Sequence, residues 1–251
     1  MSLIENLNLG EVKSITVNQL LIHYLAKGSG WRFDTLLEKE PETIAWIDSF
    51  QPGEILWDIG ANVGIYTIYA AKKGVRVVAF EPHFANYFQL CLNVMLNNLQ
   101  DRVLPLCLAL THKKSVDTIN LASVDFGTSM SSFGSNLDFR GNPYQPVFRQ
   151  GMVGYDIDSF IADFNLPVPH YFKIDVDGIE LDIIQGGSRT FANPAVKSVS
   201  IELIDSDHEQ VMGVTRILNR GNLYFAHKKQ NPVFATPETK DVMNFLYQRI
   251  A

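Results

Sequence analysis

The chain is poor in features that would take it out of the ordinary class of folded proteins. Of its 251 residues only Cys91 and Cys107 are cysteine. Both sit in apolar stretches without metal-ligand spacing, so buried thiols in a reducing compartment are expected. No apolar run approaches the roughly 20 residues needed to cross a bilayer. The opening Met-Ser-Leu-Ile-Glu-Asn lacks a basic stretch leading into an apolar one, and a cytoplasmic protein with no membrane partner is the expectation. Cations are outnumbered, 21 Lys and Arg against 27 Asp and Glu, giving a net charge of −6. That balance disfavours a nucleic-acid partner, whose backbone calls for clustered positive charge. Charged residues make up 19% and hydrophobic ones 46%, which suits one sizeable core.

The Gly-x-Gly-x-x-Gly of nicotinamide and flavin sites is also missing. In its place stands Trp57-Asp58-Ile59-Gly60-Ala61-Asn62-Val63-Gly64. An apolar run at 55–57 ends in an acid and breaks into a glycine turn, and a helix-like segment over 65–73 follows. Strand, glycine turn and helix bring backbone N–H groups and a helix N-terminus close to a ligand. A second strand over 75–80 ends at Glu81-Pro82, with Glu81 21 residues after Gly60. At that distance an acid at the end of the second strand reaches a ribose diol.

Helix over 83–98 and strand over 103–110 continue the alternation, which implies right-handed βαβ units and a parallel sheet. Extra strands are expected at 117–122 and 151–157 around a Gly/Ser-rich stretch, 123–136. A loop of that length inside a domain is commonly functional, and 123–149 reads as a lid or acceptor wall. Strand 171–176, helix 178–185, strand 199–204 and a helix from about 207 to 219 resume the pattern. Ser206-x-x-Glu209 reads as a capping box for the last of these, and 223–227 with 243–249 as a closing antiparallel hairpin. Ahead of the first strand, Val17, Leu20, Leu21, Tyr24 and Leu25 have helical spacing over 14–26. A second helix starts at Pro41. The expected fold is α/β, a doubly wound, mainly parallel seven-stranded sheet with N-terminal helices. Its expected division is an extension over 1–50 and a domain over 51–251 with an insertion at about 115–157.

Lys173, Asp175 and Asp177 alternate with Phe172, Ile174 and Val176. A central parallel strand is normally a continuous apolar run, and period two puts the three polar groups on one face. Asp175, with Lys173 and Asp177, is therefore the catalytic candidate; Asp177-x-x-Glu180 also reads as a helix cap with its reciprocal acid. Glu202 and Asp205, near the end of the next strand, carry donor atoms for an Mg²⁺ site with Asp175. Asp205-Ser206 also simply starts a helix, so a divalent metal is not favoured and no metal ligand is assigned. Asn142-Pro143-Tyr144 lacks the second proline of the motif of amino-methylating nucleic-acid enzymes. His170 and His208 are general bases by residue type only.

Residues 57–71, 77–82 and 172–187, the last reading Phe-Lys-Ile-Asp-Val-Asp-Gly-Ile-Glu-Leu-Asp-Ile-Ile-Gln-Gly-Gly, resemble the FkbM family of methyltransferases. The likeness spans roughly 40–205. It implies a Rossmann-like class I methyltransferase fold and S-adenosyl-L-methionine as cofactor. Family members with assigned chemistry mostly methylate hydroxyls, so O-methylation of a small-molecule or sugar acceptor is implied. The cofactor would be held by Asp58, Gly60, Ala61, Asn62, Gly64, Glu81, Pro82, Ala109 and Asp175, with Lys173, Asp175 and Asp177 beside the transferring methyl. Where this chain has Asp177 the family usually has Glu. A nicotinamide-dependent oxidoreductase on the same fold, or a binding module without catalysis, are the alternatives.

Overall fold

The computed structural model describes residues 9–250; the opening Met-Ser-Leu-Ile-Glu-Asn, on which the leader reading rests, lies outside the described residues. The chain begins with an antiparallel hairpin, β1 (Val12–Val17) and β2 (Leu20–Leu25), where a helix over 14–26 is expected. Two local facts override the helical spacing. Ile15, Thr16 and Val17 are β-branched and favour extended backbone. Asn18 and Gln19 both take positive φ, 47° and 69°, the conformation of a tight two-residue hairpin turn. Burial then follows period two at Ile22 and Tyr24, and Leu21, placed on the helix's apolar face, is half exposed. Three short helices follow: α1 (Gly30–Asp34), α2 (Leu36–Lys39) and α3 (Pro41–Asp48), the last carrying Pro41 in its first turn as expected.

The core opens with β3 (Ile55–Ile59), α4 (Ile65–Lys72), β4 (Arg76–Phe80), α5 (Phe84–Leu96) and β5 (Val103–Leu106). The single strand expected over 103–110 is two. After Leu106 the chain leaves the main sheet, and β6 (Ala109–Leu110), β7 (Ser115–Leu121), β8 (Ser132–Phe133) and β9 (Phe148–Tyr155) form a second sheet in the order β6-β9-β7-β8. The break leaves Cys107 exposed, and Cys91 is only part-buried, so neither is the buried thiol that its apolar neighbours imply. Then come α6 (Ile157–Phe164), β10 (Tyr171–Ile174), α7 (Glu180–Gly186), α8 (Ser188–Ala192), β11 (Ser198–Ile204), α9 (His208–Arg220), β12 (Leu223–Lys229) and β13 (Val242–Arg249). The α9 cap is Asp207, which accepts the Gln210 N–H, one residue later than the Ser206 box.

The main sheet has seven strands in the order β12-β13-β11-β10-β3-β4-β5. β11, β10, β3, β4 and β5 run parallel, and β13 and β12 close the edge antiparallel. Both faces are covered. Leu56, Val77, Ala79 and Tyr171 pack with Ile68 and Tyr69 of α4 on one side. Trp57, Ile59, Phe80, Phe172, Ile174, Val199 and Ile201 pack on the other. Among the described residues no helix is long and apolar enough to cross a membrane.

Phe172 is fully buried, with its ring 4.9 Å from Phe191 and 5.7 Å from Trp57. Phe172→Ala is expected to lower the free energy of unfolding by about 3–5 kcal/mol, read from urea denaturation. A loss below about 1 kcal/mol would contradict this packing.

Candidate active site

The carboxyl ends of β3, β4, β10 and β11 meet at a cavity of about 400 Å³, within the range of small-molecule sites. Its floor is the glycine turn after β3. Gly60 has φ +83°, and a Cβ there would lie 1.9 Å from the Asp175 carbonyl oxygen. Only glycine lets the turn pass that close to the end of β10. Gly64, φ +86°, precedes α4, and a Cβ there would lie 2.4 Å from the end of the Leu90 side chain. Asn62, also at positive φ, donates its N–H to Glu81 Oε2 at 2.7 Å, and the His83 N–H reaches Glu81 Oε1 at 2.9 Å. Each carboxylate oxygen therefore keeps lone-pair capacity for a ligand hydroxyl. Burial pushes the Glu81 carboxyl up to about 7, with the two N–H bonds opposing it.

Beside the turn, β10 carries its polar face. Lys173 pairs in register with Asp58 on one side and Ser200 on the other. Its side chain is 3% exposed, and its ammonium contacts Asp175 Oδ2 at 2.6 Å and lies 4.8 Å from the Tyr66 ring. Burial works against the charged lysine, but Asp175, Glu40 and Asp58 outweigh it and hold the proton more tightly than usual. Burial also raises Asp175, and Lys173 overcomes it, so Asp175 stays below the ordinary range. Asp58 is 1% exposed, accepts the Thr67 hydroxyl at 2.5 Å, and lies beneath the turn rather than along the cavity. Of the expected residues, Gly60, Asn62, Glu81, Pro82, Asp175 and Asp177 line the cavity together. Ala61, Gly64 and Lys173 stand behind that wall, and Ala109 borders a smaller adjoining pocket.

Asp177 does not cap α7. It accepts the Ser131 N–H at 2.9 Å, because α7 begins only at Glu180 after Gly178 and Ile179. That contact is one of several fastening residues 123–131 across the cavity mouth. Asn62 Nδ2 and Asn86 Nδ2 both donate to the Thr128 carbonyl, at 2.8 and 2.9 Å. Asn86 Oδ1 accepts the Gly127 N–H, and Arg32 Nε donates to the Gly127 carbonyl at 3.0 Å. His83 caps α5 through Nδ1 and meets the Ser123 carbonyl through Nε2, which requires the neutral ring with its proton on Nε2. Asn62 Oδ1 and Ser131 Oγ are buried without a protein partner, and both residues line the cavity. Unsatisfied polar atoms at a cavity wall fit a polar ligand.

The far walls come from residues that carry no motif of their own. Glu40 and Glu42 arrive from the start of α3, Phe139 from the insertion, and Gln230, Asn231, Phe234, Thr236 and Thr239 from the β12–β13 connection. His83 has a local signal, its position just after Glu81-Pro82 at a helix start; Glu40 has none. Glu40, Asp175 and Glu202 carry carboxylate oxygens within 4.8 Å of one another. Lys173 already supplies a cation 2.6 Å from Asp175 of this set, which disfavours a divalent metal there. Asp205, offered for such a site, pairs instead with Lys228 at 2.5 Å. His170 lies at the opposite end of β10, where Nδ1 accepts the Ile55 N–H. His208 starts α9 away from the cavity.

Glu180 accepts the Gly178 N–H and the Gln210 amide, and burial pushes its carboxyl up to about 8. An unfolded glutamate ionises near pH 4.3, so the folded state is stabilised fully below about pH 4.3 and loses that contribution as pH rises through 8. Glu180→Gln cannot ionise and can pair with the otherwise unpartnered Gln210 Oε1. Its melting temperature is expected to gain on the parent protein between about pH 5 and about pH 8.5. A pH-independent difference would contradict this.

A family profile for the methyltransferase FkbM domain matches residues 58–249. The hexuronic acid methyltransferase AglP of Haloferax volcanii is 23% identical over 195 residues, 77% of this chain and 73% of that protein. The 31-O-demethyl-FK506 methyltransferase FkbM of Streptomyces tacrolimicus is 24% identical over 219 residues, 76% of this chain and 80% of that one. The crystal structure of methyltransferase FkbM from Methylobacillus flagellatus superimposes with a TM-score of 0.51 at 19% identity. That comparison covers 79% of this chain but only 44% of the solved protein, and it supports the Rossmann-like methyltransferase fold. The profile spans the four strand ends that build the cavity, and the chain belongs to the FkbM methyltransferase family.

Proposed function

We propose that this protein is an S-adenosyl-L-methionine-dependent O-methyltransferase acting on a hydroxyl of a small polar acceptor such as a sugar. One observation carries the reading: a single cavity joins the Gly60 turn and Glu81 at one end to a wall of amides and hydroxyls at the other. Glu81 suits the two hydroxyls of a ribose, and the turn ahead of α4 suits the amino-acid portion. Bound there, the cofactor supplies a methyl group made electrophilic by its sulfonium charge. The protein's tasks are to position the acceptor and manage its proton. Asp175, held by Lys173, orients the acceptor at the row of strand ends, and Asp177 holds the segment 123–131 shut over it through Ser131. Closing that segment excludes water from the transfer.

The acceptor end favours a polyhydroxylated molecule. Gln230, Asn231, Thr236 and Thr239 offer both donors and acceptors, and Phe139 and Phe234 offer apolar faces. The name of one relative, a hexuronic acid methyltransferase, supports a sugar acceptor, and that of the other, a 31-O-demethyl-FK506 methyltransferase, supports transfer to oxygen.

Calorimetry should show one-site binding of S-adenosylhomocysteine and none of NAD. Glu81→Ala should weaken it at least tenfold, as loss of hydrogen bonds from a charged partner costs about 1.5–3 kcal/mol. Labelled methyl transfer should follow with glucuronic acid, methyl glucoside or a hydroxylated macrolactone. NAD binding in place of the homocysteine compound would overturn the reading.

A further inference from the structure

We propose that Glu202 is the group that takes the proton from the acceptor's hydroxyl; the assignment rests on the methyl-transfer reading above. Strand register forms a row across the carboxyl ends of the sheet. β10 and β3 pair Ile174 with Ile59, β10 and β11 pair Ile174 with Ile201, and β11 and β13 pair Glu202 with Asn244. The next position along therefore lines up Gly60, Asp175, Glu202 and Asn244. The Gly60 end faces the cofactor-binding turn, and beyond Asn244 lies the amide and hydroxyl wall. Glu202 lines the cavity between them, where an acceptor hydroxyl would meet the transferred group.

The neighbouring acids are already engaged. Asp175 is bound by the Lys173 ammonium at 2.6 Å. Glu40 accepts the Thr43 hydroxyl at 3.2 Å and lies 3.3 Å from the Lys39 ammonium. Glu42 accepts the Asn244 amide at 3.0 Å. Among the described residues burial and nearby charges, and no side-chain hydrogen bond, act on the Glu202 carboxylate. Hydrogen bonds and ion pairs stabilise a carboxylate anion and weaken it as a base, so the acid without them is the strongest base of the set. Burial, then Asp175 and Glu40, raise its proton affinity well above the usual range, with Lys173 and Lys39 opposing. General bases work best when that affinity approaches the working pH.

In the step itself the acceptor O–H bond breaks and its proton joins a Glu202 carboxylate oxygen. The electron pair left on the acceptor oxygen forms the new C–O bond, while the C–S bond breaks with its pair passing to sulfur, which loses its positive charge. A cation in the cavity should lower the proton affinity of Glu202 and leave it ready as a base; the neutral homocysteine product should not.

The test is a carbon-13 titration of labelled glutamate carboxyls in the free protein, with S-adenosylmethionine, and with S-adenosylhomocysteine. Glu202→Gln assigns the resonance. Glu202 should titrate well above the ordinary value of about 4.3 in the free protein, and lower with the cationic ligand than with the neutral one. Glu202→Gln should bind S-adenosylhomocysteine within about threefold of the parent while methyl transfer to the acceptor falls about 10²–10⁴-fold. Ordinary titration of Glu202 in all three states, or transfer by Glu202→Gln within about tenfold of the parent, would overturn the assignment. Failure of the parent protein to bind either compound would instead overturn the cofactor reading, while the free-protein titration would still judge Glu202.

Discussion

A buried ammonium in the central strand sets the conditions for everything around the cavity. Lys173 lies between Phe172 and Ile174 in β10 and has almost no access to solvent. A charge so placed is tolerated only when opposite charge and hydrogen bonds replace its lost water. Asp175, Asp58 and Glu40 supply that charge, and each belongs to a different part of the chain. Asp58 sits under the glycine turn, Asp175 ends the central strand, and Glu40 comes from the segment before the first core strand. The lysine thus joins glycine turn, strand end and N-terminal wall. Removing one partner of such a pair typically costs about 3–5 kcal/mol, so the acids around Lys173 are fixed as a group.

The same electrostatics sort the acids into roles. The carboxylate bound directly by the Lys173 ammonium stays ionised, whereas those whose burial outweighs their hydrogen bonds and opposite charges take up protons more readily. Asp175 belongs to the first kind and Glu180 and Glu202 to the second. A cavity crowded with acids, several of them poised to share protons, is a suitable environment for a ligand that carries positive charge before reaction and none afterwards. The cover of this cavity is equally specific. Asn62 from the turn and Asn86 from α5 converge on one carbonyl, that of Thr128, so the floor of the site also holds its roof.

The alternation of strand and helix, the glycine turn and Glu81 were legible because each is written in a short stretch of chain. So were the closing hairpin and the polar face of β10. The N-terminal hairpin was not, because Val17, Leu20, Leu21, Tyr24 and Leu25 fit helical spacing by chance of position. The decision lay in two left-handed residues, Asn18 and Gln19, that no apolar pattern records. Asp177 misread as a cap for a related reason: its distance from Glu180 is right, but Gly178 takes φ +105° and delays the helix. Glu40 was invisible. Its contact with the end of β10 exists only once the N-terminal segment folds back over the sheet.

A crystal structure of the protein with S-adenosylhomocysteine tests the central claim most directly. The account predicts ribose hydroxyls on the Glu81 carboxylate and the sulfur beside the row formed by Gly60, Asp175 and Glu202. It would be contradicted by the compound bound elsewhere, or by a pose that puts the adenosine at Glu202 and leaves Glu81 without a hydroxyl.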